Sequence, residues 1–261
     1  MGISFSNLTP YIAFDTECTG LDFHHGDVPF AVSACDYEGN TYFWEWAVDP
    51  STRDVVVRIS DLDDIQDLLD TFDSVVFHNA KFDIAALSRI AISVPFEKVQ
   101  DTIIAHHVLD STESHKLDDL AAIYLEVEPL ENDLRAETVR ARAEGKRRGW
   151  ALGNSPQGKA EVPRDYWMCK TVDPESTTLQ DYAEQDVTNT ALLWNLLATQ
   201  IQKDNLVTQY NSRMALVPVV YDMERRGVTI SKSRMDSEIL RYGEVANDKY
   251  TYLQKVGTDA L

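Results

Sequence analysis

The 261-residue chain contains no run near the ~20 consecutive apolar residues that a membrane span needs. That excludes a single apolar membrane helix. Its opening, MGISFSNLTP, has neither a basic head nor a long apolar stretch, so no secretory leader is expected. Met1-Gly2-x-x-x-Ser6 matches a lipid-attachment pattern, but a match this short is read as chance. Cysteine is scarce. Cys18, Cys35 and Cys169 are odd in number and show no close metal-type spacing, which points to free thiols in a reducing compartment. The six histidines form no zinc pattern with them, and His106 and His107 read as helix residues with a structural role. Repeats and low-complexity tracts are also missing. The expectation is a soluble cytoplasmic protein, and 44% apolar residues suffice for one large domain or two small ones.

Positive charge is the other shortage, and it is uneven. Residues 1–130 carry 24 acids against 6 bases, residues 131–261 carry 19 against 18, and the net charge is −19. Such acidity ordinarily argues against nucleic-acid binding. An acidic half that holds divalent cations can nonetheless act on a phosphodiester, because the cations supply the positive charge. A solubilising surface is the alternative.

What is present is an ordered series of apolar segments. Strands are expected at 10–16, 29–36 and 41–48, with YEGN as the turn between the last two, then at 74–78 and around 99–101. Leu62, Ile65, Leu68, Leu69 and Phe72 recur at helical spacing over 60–72, with Ser60 as the expected cap. Further helices are expected from KFDIAALSRIA, over 102–110 and 116–125, and over 179–202. Early antiparallel strands followed by strand–helix alternation predict a mixed α/β sheet with helices on both faces. Residues 129–176 interrupt this with glycines, prolines and the base-rich RAETVRARAEGKRRGW. Two readings stay open there: a solvated insertion, or a basic flap over a nucleic-acid strand with Trp150, Tyr166 and Trp167 available for stacking. Helices are expected again over 207–226 and 232–255.

Against that frame, YIAFDTECTGLD brings Asp15 and Glu17 to the end of an apolar strand. Residues i and i+2 share a strand face, and like charges held that close repel unless a cation or a proton sits between them. The same Asp-x-Glu spacing recurs at Asp36/Glu38, Asp173/Glu175, Asp222/Glu224 and Asp236/Glu238, but only the first follows such a run. VVFHNAKFD delivers Asn79 and Asp83 where a strand passes into a helix, and Asp101 closes another strand. LQDYAEQDVTNT puts Tyr182 and Asp186 four apart on one helix face.

FDTECTGL, HNAKFD and YAEQD, in that order and setting, resemble the three motifs of the 3'→5' proofreading exonuclease domain of family A DNA polymerases. DTIIAHHVLD and HKLDDLAAIYL resemble the segment between its second and third motifs. The resemblance covers about residues 8–204 and implies a DEDD-type nuclease on a ribonuclease H-like fold: a mixed five-stranded sheet with flanking helices, plus a C-terminal helical segment. The histidine subtype would place His at position 181, which is Asp here, so Tyr182 marks the tyrosine subtype. The resemblance assigns Asp15 as the ligand shared by two divalent ions, Mg²⁺ with Mn²⁺ as a substitute. Glu17 and Asp186 would hold the ion that binds the attacking water, Asp83 would support the second, and Tyr182 would orient the nucleophile. Oxygen-only ligands suit a hard cation of this kind. Leu21 and Asn79 match positions that contact the terminal nucleotides, and Cys18 stands where Thr or Ser is usual. Arg147 and Arg148 are the strand-holding candidates if the insertion is a flap.

The implied domains are an exonuclease over 1–205 and, over 206–261, the helical start of a family A polymerase domain, on the likeness of LVPVVYDMERRGVTISKSRM. The implied reaction is hydrolysis of 3'-terminal nucleotides from single-stranded or frayed DNA. Its partner would be a polymerase domain, in the same longer chain or a separate one. An RNA-trimming exonuclease and an inactive DNA-holding module remain the rivals, because no side chain here can be shown to test a 2'-hydroxyl.

Overall fold

The computed structural model describes residues 10–152 and 165–259. Strands β1 (Tyr11–Cys18), β2 (Pro29–Asp36), β3 (Thr41–Glu45), β4 (Ser74–Phe77) and β5 (Val99–Asp101) form one sheet in the order β3-β2-β1-β4-β5. β1 pairs antiparallel with β2 and parallel with β4, while β2–β3 is antiparallel and β4–β5 parallel. This is the mixed five-stranded sheet expected from the sequence, with β1 at its centre.

Tyr11, Ile12, Ala13 and Phe14 are all fully buried, so β1 is covered on both sides. Side chains alternate along a strand. Ile12 and Phe14 join one core with helices α1 (Ile59–Thr71) and α2 (Ala80–Arg89), through Ile65, Leu69, Ile84 and Leu87. Tyr11 and Ala13 join the opposite core with α3 (Thr102–Leu109), α4 (Leu117–Leu125) and α7 (Thr178–Lys203), through Ala105, Leu120, Val187 and Trp194. Each such large side chain contributes about 1.5–3 kcal/mol by leaving water. The Tyr11 hydroxyl is buried too, and it donates to the Ala191 carbonyl oxygen at 3.0 Å, tying β1 to α7. The Tyr-x-x-x-Asp spacing of Tyr11 and Asp15 is thus incidental, because Tyr11 serves the core.

Three local differences from expectation have clear causes. Ser60 does not cap α1, because the helix already starts at Ile59 with Arg58 at the capping position, and the Ser60 hydroxyl donates to Asp61 instead. The strand expected over 41–48 stops at Glu45, although the Trp46 N–H still reaches the Phe30 carbonyl oxygen at 2.8 Å. The third difference lies in the segment 129–176, whose described residues include two helices, α5 (Glu131–Arg148) and α6 (Trp167–Val172). α5 buries only Leu134, Thr138, Ala141 and Gly145. That 4-3-4 stripe of mostly small residues is too narrow to stand out in a polar sequence. It packs with Tyr166, Trp167, Met168 and Cys169 in a third core that also takes in Phe30, Ala31 and Leu179. Gly145 is required there, since a Cβ would lie 2.5 Å from Met168 Cε and 2.8 Å from Trp150 Cε3. The breaks at Gly153, Pro156, Gly158 and Pro163, like the Met1–Ser6 pattern, lie outside the described residues.

Two compact units divide the chain, residues 1–221 and 222–261. The first includes α8 (Val207–Met214) and the start of α9 (Val217–Arg226). Tyr221 closes it by packing edge-on against Phe96, with ring centroids 5.2 Å apart. Gly227, at φ 65°, ends α9 as the sequence suggests, and the second unit is mainly α10 (Lys232–Asp259).

Candidate active site

The alternation of β1 decides where its acids go. Asp15 and Glu17 share the face of Tyr11 and Ala13, which is the face α7 covers. There α7 presents Tyr182 and Asp186 one turn apart. Burial raises the Tyr182 phenol well above its usual range, and the nearby Glu17, Asp186 and Asp15 carboxylates push it further. The phenol is therefore a neutral donor, and Asp186 accepts its hydrogen bond. Asp186 itself is 7% exposed; burial raises its carboxyl well above the ordinary range, and Asp15 adds to the rise.

Asp83 arrives from the other side of the sheet. It lies in the first turn of α2, is 2% exposed, and accepts a hydrogen bond from Thr16 Oγ1 at 2.7 Å. Thr16 points away from Asp15 and Glu17 along the strand, so its hydroxyl holds Asp83 at the edge where the two faces meet. Burial and then Asp15 drive the Asp83 carboxyl well above its normal range. Asp15 is thus the common neighbour of both buried acids. The structure brings together Asp15, Glu17, Asp83, Tyr182 and Asp186 around the end of β1. Among the described residues no three His, Cys, Asp or Glu side chains already share a metal-holding point. Like charges held this close repel, and the upward shift of Asp83 and Asp186 is that repulsion from Asp15 added to burial. The donor set is all oxygen and acidic, which fits hard divalent cations.

The remaining sequence candidates fall in different settings. Leu21 is 69% exposed just past β1, and Asn79 is exposed at the start of α2 with φ 81°, a conformation asparagine tolerates better than most residues. Cys18 is instead 7% exposed and beside Thr16 Oγ1, and burial raises its thiol well above the usual range. Tyr166 and Trp167, expected as stacking rings of a flap, are each 2% exposed and belong to the third core. The Tyr166 ring meets Tyr182 edge-on at 6.0 Å. Arg147 and Arg148 both pair with Glu144, and Arg148 lies 5.2 Å from the Trp150 ring centre, so their partners belong to α5 and the chain just beyond it.

Three supporting residues escaped sequence reasoning. Thr16 sits inside the first motif but its alternation points it away from the acids, so only the tertiary fold reveals its bond to Asp83. Tyr166 carried no signal beyond its aromatic ring. Asp101 was visible only as a strand end, yet its buried carboxylate accepts from Ala80 N at 2.7 Å and from Ile103 N and Ile104 N at 2.8 and 3.2 Å. It thereby caps α2 and α3 together and fixes the entry of the helix that carries Asp83.

A sheet of this topology with four acids and a tyrosine at the end of its central strand defines a DEDD-type, ribonuclease H-like nuclease fold. Comparison with known proteins agrees. The 3'-5' exonuclease family model matches residues 3–202, and the chain belongs to that family, the exonuclease domain of family A DNA polymerases. It is 27% identical over 226 residues to DNA polymerase DpoZ of Salmonella phage PMBT28, a match covering 85% of this chain and 31% of the relative. DNA polymerase DpoZ of Acinetobacter phage SH-Ab 15497 is 24% identical over 231 residues, 87% of this chain and 33% of the relative. The chain thus spans about a third of the curated relatives it matches. Among solved structures, Brucella melitensis NrnC with bound Mg²⁺ shares the fold with a TM-score of 0.53 at 18% identity, covering 86% of this chain and 90% of that one. The POL domain of Pol1 from M. smegmatis, in complex with DNA primer-template and dNTP, gives 0.58 at 14% identity, covering 92% and 32%. Separately, no helix among the described residues is long and apolar enough to cross a membrane.

Proposed function

We propose that this chain removes 3'-terminal nucleotides from DNA by a two-cation hydrolysis, as the editing part of a family A polymerase. The observation that carries the reading is the meeting of Asp15, Glu17, Asp83, Tyr182 and Asp186 at one strand end, with two of the acids raised by burial and by Asp15. Asp15, the charged neighbour of both Asp83 and Asp186, would be the ligand common to two Mg²⁺ (or Mn²⁺) ions. Glu17 and Asp186, both near Tyr182, would hold one ion, and Asp83, oriented by Thr16, would serve the other. Bound there, the ions supply an activated water and neutralise the leaving 3'-oxygen. Tyr182, neutral and hydrogen-bonded to Asp186, orients the water and does not act as a base. The exposed Leu21 and Asn79 side chains meet the terminal nucleotides, whereas Cys18 is buried beside Thr16.

DNA is favoured as substrate because the curated relatives are named DNA polymerases; a polymerase region in the same longer chain, or in a separate one, is the partner. Single-stranded and frayed ends are the preferred substrates, since an acidic site has little with which to grip a duplex, and melting a mismatched pair costs less of the few kcal/mol involved.

One gel series tests this, using 5'-labelled single-stranded DNA and RNA of one sequence, and matched and mismatched primers, with Mg²⁺ or chelator. The expected result is a shortening ladder on DNA that needs Mg²⁺, runs faster on the mismatch, and is lost by orders of magnitude in Asp15→Ala. Digestion by Asp15→Ala at the parent rate refutes the cation assignment. Equal rates on matched and mismatched primers refute editing, and a clear preference for RNA moves the chain to the RNA-trimming reading.

A further inference from the structure

Among the described residues, no strand pairs with one edge of the sheet, and its binding groups face out. β3 is the outermost strand on the antiparallel side. The Trp46 N–H to Phe30 carbonyl bond fixes which residues pair through hydrogen bonds, and the register runs from there to Trp44 opposite Val32 and Tyr42 opposite Ala34. Antiparallel pairing alternates, so Tyr42 and Trp44 turn their backbone groups toward β2. Thr41, Phe43 and Glu45 turn theirs outward. Natural edge strands are usually blunted by Lys, Pro or a bulge, and TYFWE contains neither residue.

Beside this edge lies a groove of about 470 Å³, lined by Tyr42, Phe43 and Trp44 and by Asp64, Asp67 and Leu68 of α1. The Tyr42 and Trp44 rings are stacked, 6.2 Å apart and 9° from parallel. Asp64 and Asp67 are exposed, and among the described residues neither carboxylate has an ion-pair partner. α1 holds five aspartates and no lysine or arginine. An added strand would satisfy the outward N–H and C=O groups, and its alternate side chains would fall on the α1 side of the edge. Cationic side chains at those positions would meet two free carboxylates and two ring faces.

We propose that this edge docks an extended peptide segment of a partner protein, with Lys or Arg at alternate positions, as a sixth strand of the sheet. The proposal stands apart from the nuclease reading, because none of the groove residues belongs to the active site.

The test uses the full chain and a fluorescein-labelled alternating lysine–threonine decapeptide, followed by anisotropy. A second probe carries the same charges with all of its backbone amides N-methylated, which removes the strand donors whichever way the peptide runs. Two variants alter the groove: Asp64→Lys with Asp67→Lys, and Thr41→Pro, which deletes an outward N–H at an exposed position. Asp236→Lys with Glu244→Lys makes the same charge change in α10. The groove variants and the methylated probe should each weaken binding about tenfold or more, with the α10 variant and the nuclease rate unchanged. Equal weakening by both charge reversals, undiminished binding of the methylated probe, or no binding of the first probe overturns the proposal. Displacement of the probe by a short oligothymidylate overturns it as well, because the edge would then be a nucleic-acid contact.

Discussion

Replacing Thr16 by valine removes one hydroxyl of nearly unchanged shape, which makes it a clean probe of how Asp83 is held. The Thr16 Oγ1 to Asp83 Oδ1 bond is 2.7 Å long and buried, and the acceptor is an acid that burial and Asp15 already push toward its protonated form. Hydrogen bonds to charged groups contribute about 1.5–3 kcal/mol. Without the donor, the ionised form of Asp83 loses that support and its carboxyl rises further. If Asp83 must be ionised and oriented to serve, then at ~1.4 kcal/mol per decade the rate falls about 10- to 100-fold. Thr16→Ser keeps the donor and should stay within a few-fold of the parent. The assay is single-turnover digestion of labelled DNA across a Mg²⁺ titration, with circular dichroism melts to confirm folding. The valine variant should need more Mg²⁺ to reach half its maximal rate. A variant that folds, digests DNA at the parent rate and has an unchanged Mg²⁺ midpoint would show that Asp83 needs no positioning.

Other outcomes follow from the same structure. Gly145→Ala should lower stability by about 1–3 kcal/mol in denaturant melts, since overpacking against Met168 and Trp150 outweighs the ~1 kcal/mol gain in helix propensity; a more stable variant would mean that the α5–α6 contact yields easily. Burial lowers the His78 imidazole to about 4 from an ordinary 6.5, so the unfolded chain binds the extra proton first as pH falls. The parent should therefore lose stability between about pH 6.5 and 4 relative to His78→Asn, and parallel pH profiles of the two would count against the burial effect. Neutralising Arg147 and Arg148 together should reduce the salt slope of single-strand binding by about 0.7 per lost phosphate contact. An unchanged slope assigns both to their pairing with Glu144.

The sheet was legible because β1 and its neighbours are dense in apolar and β-branched residues, and because YEGN and the helix periods punctuate them. The acids were legible as motifs, since Asp15 and Glu17 follow an apolar run and Tyr182 and Asp186 are one helical turn apart. α5 was not, because Leu134, Thr138, Ala141 and Gly145 bury a stripe that hydrophobicity barely marks. Tyr166 and Trp167 looked like exposed rings for the same reason: a polar sequence context hid the third core that encloses them. Thr16 and Asp101 were invisible in kind, since each acts on a residue distant in sequence, Asp83 by 67 positions and Ala80 by 21.

The four acids do not all belong to one layer of the molecule. Asp15, Glu17 and Asp186 sit on the side built around α7, whereas Asp83 rides on α2 and the core of the opposite side. Under the assignment proposed above, a cation held by both Asp15 and Asp83 would work as a clasp across the sheet's rim, joining two cores that are otherwise linked by the strands between them and by Met214, which packs against both. Its binding energy then counts toward holding both layers in place, and stability should climb with the logarithm of cation concentration once sites begin to fill. The same clasp makes catalysis a gauge of packing far away. A cavity cut behind Leu87 or behind Trp194, on opposite faces, should loosen the grip on the cation before it unfolds the chain.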